Sequence, residues 1–171
     1  MSEYINTLAQ REDAISKIFT GETQQNALNF VRYLDSLGMT AAGNEIGGRF
    51  YYKGKKVCDI HILNIDDEFG GYPDPWTVWM GRHILLGSEN IWVDECFKEI
   101  VWAHAHQCEN CFSGRSAADG TWCRGDKRVT IFDRDFDNLC LNPIAFTDPN
   151  AEEVECMKKL VEMKKLAIDN G

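Results

Sequence analysis

Four cysteines in the second half of the chain are spaced so that they could surround one metal ion: Cys108, Cys111, Cys123 and Cys140. The first two form a Cys-x-x-Cys turn, which lets two sulfur atoms reach the same ion. Thiolates are the soft ligands that zinc prefers, and a closed structural site holds zinc with four ligands in a tetrahedron. The spacing therefore predicts a structural zinc ion bound by these four residues.

Two histidines before the turn leave the ligand set open. On a helix that continues to the turn, His104 precedes Cys108 by four residues and could replace one of the two single cysteines, whereas His106 projects from another side. We favour four cysteines because thiolates dominate closed structural sites. An open zinc with a bound water would instead be catalytic, with Glu109 or the unused histidine beside it. Oxidation of the thiolates would make the same site a redox sensor.

Sequence patterns of known catalytic sites do not fit this chain. The nucleotide-deaminase pattern is His-x-Glu followed by Pro-Cys-x-x-Cys. His104-Ala105-His106 lacks the glutamate, and no proline precedes Cys108. The His-Glu-x-x-His helix, the phosphate-binding loop and the GxGxxG fingerprint are also missing from the sequence. Whether the protein is an enzyme is therefore left open.

A second group of candidate residues lies on a predicted β-hairpin. Apolar residues alternate with other residues from Glu45 to Ile65, and Lys53-Gly54-Lys55 interrupts the alternation. A three-residue loop would pair Tyr52 with Lys56, and Cys58 would then face the core. The opposite face of the hairpin carries Arg49, Tyr51, Val57, Asp59, His61 and Leu63.

A third predicted strand, Trp76 to Met80, adds Trp79 to this face if it lies beside the hairpin in register. Polar and aromatic side chains on one sheet face could line a pocket for a small aromatic or amphipathic molecule, which Arg49 or Asp59 would orient. The alternative is a face half exposed to solvent or covered by the cysteine-bearing segment. The predicted ligand-binding residues are Arg49, Tyr51, Asp59, His61 and Trp79.

Helices must help to position both groups. Apolar residues at helical spacing predict one helix from Ile5 to Phe19 and another from Ala27 to Leu37, which Gly38 is placed to end. Asp94 can cap a third helix that runs into the Cys-x-x-Cys turn. Thr147-Asp148-Pro149 predicts the start of a terminal helix with proline in its first turn.

These elements predict one α+β domain over residues 1–171, with a three- to four-stranded antiparallel sheet packed by helices and a small zinc-binding segment near the carboxyl terminus. Residues 1–91 would supply helices and the sheet. Residues 92–171 would supply a helix, the cysteine cluster and the terminal helix. A short strand or turn is also expected at 84–86, and a short strand at 129–132.

Composition argues against two classes of partner. The chain has 27 acidic and 18 basic residues, and acidic loops are expected at 66–68 and 133–137, so nucleic acid would be repelled. No apolar run approaches the ~18 residues that a membrane span needs, and the first residues lack the layout of a signal peptide. Seven cysteines without an export signal indicate reduced thiols or metal ligands, so we expect a cytoplasmic protein.

Several short motifs occur together between the hairpin and the end of the chain. They are Tyr52-Lys53-Gly54-Lys55, Trp102 before Cys108-x-x-Cys111, Phe136-Asp137-Asn138-Leu139-Cys140, and then Phe146 and Pro149. In this combination the chain resembles a family of small uncharacterised bacterial proteins with a carboxyl-terminal cysteine cluster. In similar sequences the third cysteine lies closer to the Cys-x-x-Cys turn. Here the insertion at 112–122 moves Cys123 further from the turn, which departs from the family pattern. The resemblance implies no known activity.

Taken alone, the sequence predicts a small cytosolic, zinc-stabilised domain that binds or senses a small molecule. An enzyme that uses an open zinc or the sheet-face residues is one alternative. A protein-interaction or redox-sensing module is another. The coordination of the metal distinguishes a structural site from a catalytic one, because a closed site of four thiolates leaves no position for the water that a catalytic zinc binds.

Overall fold

The computed structural model describes residues 7–44, 47–62, 76–81, 84, 92–107 and 126–171. Within these ranges the chain forms four helices and seven strands. In chain order they are α1 (Leu8–Ile18), α2 (Gly21–Ser36), β1 (Thr40–Asn44), β2 (Gly47–Tyr52), β3 (Lys55–Ile62), β4 (Trp76–Met80), α3 (Glu95–Ala103), β5 (Ala105–Gln107), β6 (Asp126–Ile131), β7 (Arg134–Thr147) and α4 (Ala151–Asn170).

The described strands form one sheet in which every pair is antiparallel. Its order is β1-β2-β3-β4-β7-β5, and β6 also pairs with β7. The predicted α+β class is confirmed, whereas the prediction of three to four strands is wrong, since the described residues alone form seven. Two of the missed strands lack a period-two signal, since β1 reads Thr-Ala-Ala-Gly-Asn and β5 reads Ala-His-Gln. The third, β7, begins in the acidic run for which a loop was predicted. Their pairing depends on tertiary neighbours.

Two further expectations concern the acidic segments and the short strands. Residues 134–137 belong to β7, so the predicted loop at 133–137 is wrong apart from its first residue, which lies in the turn before β7. The predicted strand at 129–132 corresponds to the end of β6. The acidic loop at 66–68 and residues 85–86 lie outside the described residues.

The hairpin of β2 and β3 has a shorter turn than predicted. Its loop is the two-residue Lys53-Gly54, with φ angles of 47° and 74°, and Tyr52 pairs with Lys55. A bulge then shifts the register by one residue, so that Arg49 still pairs with Asp59 as the alternation predicted. Arg49 and Asp59 therefore lie on the predicted face although the predicted loop is wrong, whereas Val57, predicted on the same face, is buried in the apolar core.

Strands β1 and β2 approach closely at a pair of glycines. Gly43 is the cross-strand partner of Gly48, and their φ angles are 143° and 152°. A Cβ atom on Gly48 would lie 2.5 Å from the carbonyl oxygen of Ala42. Only glycine fits there, because every other residue would force the two backbones apart.

Helices cover one face of the sheet. The ring of Phe30 in α2 lies 6.5 Å from that of Trp76 in β4, and α4 contacts both α2 and β3. The side chains buried between these layers include Phe30, Leu34, Cys58, Ile60, Trp76, Val78, Met80, Phe146 and Leu160. Burial of one large aliphatic or aromatic side chain stabilises the fold by ~1.5–3 kcal/mol, so this layer fixes where the strands lie.

The helix before the Cys-x-x-Cys turn is shorter than predicted. Helix α3 ends at Ala103, His104 is its C-cap, and strand β5 follows. The backbone N–H of Ala145 donates to the carbonyl of His104 over 3.0 Å, which draws the chain beside β7 instead of into another helical turn. The prediction of a helix that continues to Cys108 is therefore wrong.

The other helices occur where the sequence predicted them, with different ends. Helix α2 begins at Gly21, which was not expected to be helical, and Gly38 follows its end with φ 73°. Helix α4 is capped by Asn150 and Glu153 in a capping box, so Pro149 precedes the helix instead of lying in its first turn. Each helix among the described residues is too short or too polar to cross a membrane.

A candidate ligand face beside the cysteine-bearing segment

The sheet register brings together residues from three strands on the face opposite the core. Arg49 of β2 pairs with Asp59 of β3, and Asp59 pairs with Trp79 of β4. One step along the strands, His61 pairs with Thr77. We call the surface formed by Arg49, Asp59, His61, Thr77 and Trp79 the polar face. Tyr51 lies past the bulge, opposite Lys56, at the margin of this surface.

Exposure divides the polar face into two parts. Asp59, Thr77 and Trp79 are buried, at 6%, 3% and 9% exposure. Arg49 and His61 are exposed. A buried acidic and aromatic centre therefore lies next to an exposed basic edge, which is an arrangement that can orient a small polar molecule.

Two cations surround the carboxylate of Asp59. Lys56 forms an ion pair with Oδ2, and Arg49 Nε lies 3.8 Å from Oδ1. His61 is exposed, but protein atoms around its ring displace part of the surrounding water. This desolvation lowers the pKa of His61, although the charge of Asp59 opposes the shift. The lowered pKa favours the neutral form of His61 near neutral pH.

His106 also reaches the polar face. Its ring meets that of Trp79 edge-on, with centroids 5.0 Å apart and planes at 86°. Strand β7 lies between β4, which carries Trp79, and β5, which carries His106. The partner of Trp79 in β7 is Ala145, whose small side chain leaves room for the two rings to meet. Local sequence carries no signal of this contact, because the contact depends on a strand order that joins distant segments.

His104 has a structural role. Its Nδ1 lies 3.1 Å from the carbonyl oxygen of Ala145, and its Nε2 lies 2.8 Å from a carboxylate oxygen of Glu153. The ring also packs on Phe146, with centroids 4.3 Å apart. Both ring nitrogens are engaged in joining α3 to β7 and α4, so neither is available to a metal ion in this arrangement.

Three of the four predicted zinc ligands, Cys108, Cys111 and Cys123, lie outside the described residues, and Cys140 lies in strand β7. The neighbours of these residues are described. Leu139, directly before Cys140, pairs with Gln107 of β5 and also with Asp126 of β6. One position of β7 therefore joins the strand that leads into the Cys-x-x-Cys turn to the strand that follows Cys123.

The other three cysteines are free thiols. Cys58 is fully buried and burial raises its pKa, while burial raises the pKa of Cys156 in α4 to about 12. Cys96 in α3 is exposed. In the described ranges no three His, Cys, Asp or Glu side chains form a cluster that could hold a metal ion. The predicted zinc site is thus neither supported nor contradicted by these residues.

No protein-family model matches the chain, and no match was found among curated proteins or solved structures. The resemblance carried by the hairpin and cysteine motifs therefore stays a prediction.

Proposed function

We propose that the protein is a small-molecule-binding domain whose ligand site is the polar face, and that a structural zinc ion bound by Cys108, Cys111, Cys123 and Cys140 holds the segment beside that face. Binding is favoured over catalysis because the described residues of the face supply a charged edge and aromatic rings but no nucleophile paired with a base. The metal would support the site instead of reacting.

The observation that carries this proposal is the contact between Trp79 and His106. Trp79 belongs to the polar face, and His106 precedes Cys108 by two residues. A metal ion that fixes Cys108 would therefore fix the aromatic wall of the ligand site as well. This link explains why a chain with an ordinary apolar core would need a metal-bound segment.

The strands around Leu139 support the ligand set. Cys140 follows Leu139 directly, and Cys108 follows Gln107 directly, while Cys123 precedes Asp126 by three residues. Gln107 and Asp126 are both cross-strand partners of Leu139. Partners in an antiparallel sheet lie ~4.5–5.5 Å apart, which is a suitable starting point for segments that converge on one ion.

Zinc content tests the metal half of the proposal. Elemental analysis of protein purified without chelator should give about one zinc per chain, and Cys111→Ser should lose it and destabilise the segment, because structural zinc contributes folding free energy. Cys58→Ser and Cys156→Ser should keep the zinc and lose only ordinary core stability, and Cys96→Ser should keep it with little change in stability because Cys96 is exposed. A fully folded chain without metal, or equal zinc in Cys111→Ser and Cys58→Ser, would contradict the proposed ligand set.

Thermal shift tests the ligand half. A small aromatic ligand at about 100 times its Kd should stabilise the fold by about 2.7 kcal/mol and raise the melting temperature. The shift should disappear in Trp79→Ala while zinc stays bound. Trp92→Ala is the matched control, because Trp92 is 82% exposed and lies outside the polar face. Equal shifts in the two variants would rule out the polar face as the binding site.

A further inference from the structure

One oxygen of the Asp59 carboxylate lacks a hydrogen-bond donor among the residues that the structure describes. The side chain is 9% exposed, and Arg49 Nε lies 3.8 Å from Oδ1, which is beyond hydrogen-bonding distance. Among the described residues no other group donates to this atom. A buried acceptor without a donor is unfavourable, so Oδ1 is a position where a bound molecule would gain by placing an N–H or O–H group.

The charges around Asp59 decide which kind of donor fits. Arg49 and Lys56 bring two positive charges against the single negative charge of Asp59, and the lowered pKa of His61 favours its neutral form. Arg49, Lys56 and Asp59 together therefore carry a net charge of about +1. An added ammonium group beside Asp59 would be attracted by one charge and repelled by two, whereas a carboxylate would be attracted to the guanidinium of Arg49, whose side chain is 67% exposed.

Aromatic side chains share the sheet face with this charged group. Trp79 is the cross-strand partner of Asp59, and the ring of His106 lies edge-on to it. On the exposed side, His61 follows Asp59 by two residues on the same face of β3. The rings of Trp79, His106 and His61 on one face suit a flat, apolar part of a ligand.

From these three observations we infer that the polar face binds a small aromatic carboxylate that carries a neutral hydrogen-bond donor beside its carboxylate group, as an aromatic α-hydroxy acid does. The carboxylate accepts from Arg49, the hydroxyl donates to Oδ1 of Asp59, and the ring lies toward Trp79 and His61. The 3.8 Å between Arg49 Nε and Oδ1 is short enough for one small molecule to contact both. This inference rests on the proposed function, since it names the ligand class of the same site.

Calorimetric titration of the zinc-loaded protein with four related probes tests the inference. Phenyllactate has all three features, phenylpropionate lacks the hydroxyl, phenylethanol lacks the carboxylate, and phenylalanine replaces the hydroxyl with an ammonium group. We expect phenyllactate to bind about tenfold or more tightly than each of the others. Arg49→Gln should weaken phenyllactate binding by about tenfold or more.

Arg32→Gln is the matched control for the loss of an arginine. Arg32 in α2 has a 57% exposed side chain and an ion pair with Glu12, and it lies outside the polar face, so its replacement should leave the affinity unchanged. Equal affinity for phenyllactate and phenylpropionate would overturn the role of Asp59. Tighter binding of phenylalanine would overturn the charge argument, and equal binding by Arg49→Gln and Arg32→Gln would overturn the carboxylate position.

These outcomes separate the inference from the proposed function. Binding of all the aromatic probes without regard to hydroxyl, carboxylate or Arg49 would overturn the ligand class and leave the polar face as a binding site. Failure of every probe to bind a folded, zinc-loaded protein would overturn both.

Discussion

Replacement of His104 by alanine tests whether this residue is a structural link or a metal ligand. The change removes the contacts of Nδ1 with the Ala145 carbonyl and of Nε2 with the Glu153 carboxylate. It also removes the ring that packs on Phe146. The end of α3 would then lose its side-chain connection to both β7 and α4.

The magnitude follows from these contacts. A neutral hydrogen bond contributes a net ~1 kcal/mol, and one to a charged group contributes ~1.5–3 kcal/mol. An aromatic pair adds ~0.5–1.5 kcal/mol. The side chains of His104 and Glu153 are 18% and 24% exposed, which places their interaction toward the low end of its range. We therefore expect His104→Ala to lower the free energy of unfolding by about 2–4 kcal/mol.

Urea unfolding of the zinc-loaded protein, followed by circular dichroism, measures this loss. His106→Ala is the matched control, since it removes a histidine two residues later whose ring has an edge contact with Trp79, worth ~1 kcal/mol or less. Elemental analysis of folded His104→Ala should still give about one zinc per chain, because a closed site of four thiolates does not need a histidine.

Two results would refute this reasoning. If folded His104→Ala lacked zinc while His106→Ala retained it, His104 would be a ligand and the contacts with Ala145 and Glu153 would not describe the metal-bound protein. If His104→Ala lost no more stability than His106→Ala, the three contacts would not link the elements as the distances indicate.

Two other predictions concern the glycine pair and the end of α4. Gly54→Ala should destabilise the protein by about 1–2 kcal/mol because of the positive φ alone, since a Cβ atom there meets nothing within 4 Å. Gly48→Ala should destabilise it more, because a Cβ atom there meets the Ala42 backbone. Equal melting temperatures of the two variants would contradict the close approach. Lys165, Lys53 and Tyr52 hold the pKa of Asp169 well below its usual value, so its contribution to stability is present above the unfolded pKa of ~3.9 and lost as pH falls through the folded pKa. Asp169→Asn should therefore be less stable than wild type near neutral pH, and the difference should shrink at about pH 3; a difference that stays constant in urea unfolding at both pH values would refute the ion pairs as its cause.

The residues of the polar face that lie on the hairpin could be predicted from local sequence, because alternation along a strand depends only on neighbouring residues. Alternation with a period of two assigns Arg49, Asp59 and His61 to one side of a hairpin and Cys58 to the other, provided that Arg49 pairs with Asp59. The loop itself was predicted wrongly, since a two-residue turn with a bulge and a three-residue turn give the same register at Arg49 and Asp59. Helix positions were also predictable, because apolar spacing and caps are properties of a few neighbouring residues.

By itself, then, the sequence determined the α+β class, the helices and the division of the hairpin into a core side and a polar side. Only the tertiary structure decided that β7 would join β4, β5 and β6, that His104 would bind Glu153, and that His106 would meet Trp79 across a strand. The reason is the sequence distance between the partners. Such pairs are selected by the burial of the whole apolar layer, and neither partner carries a local signal of the other.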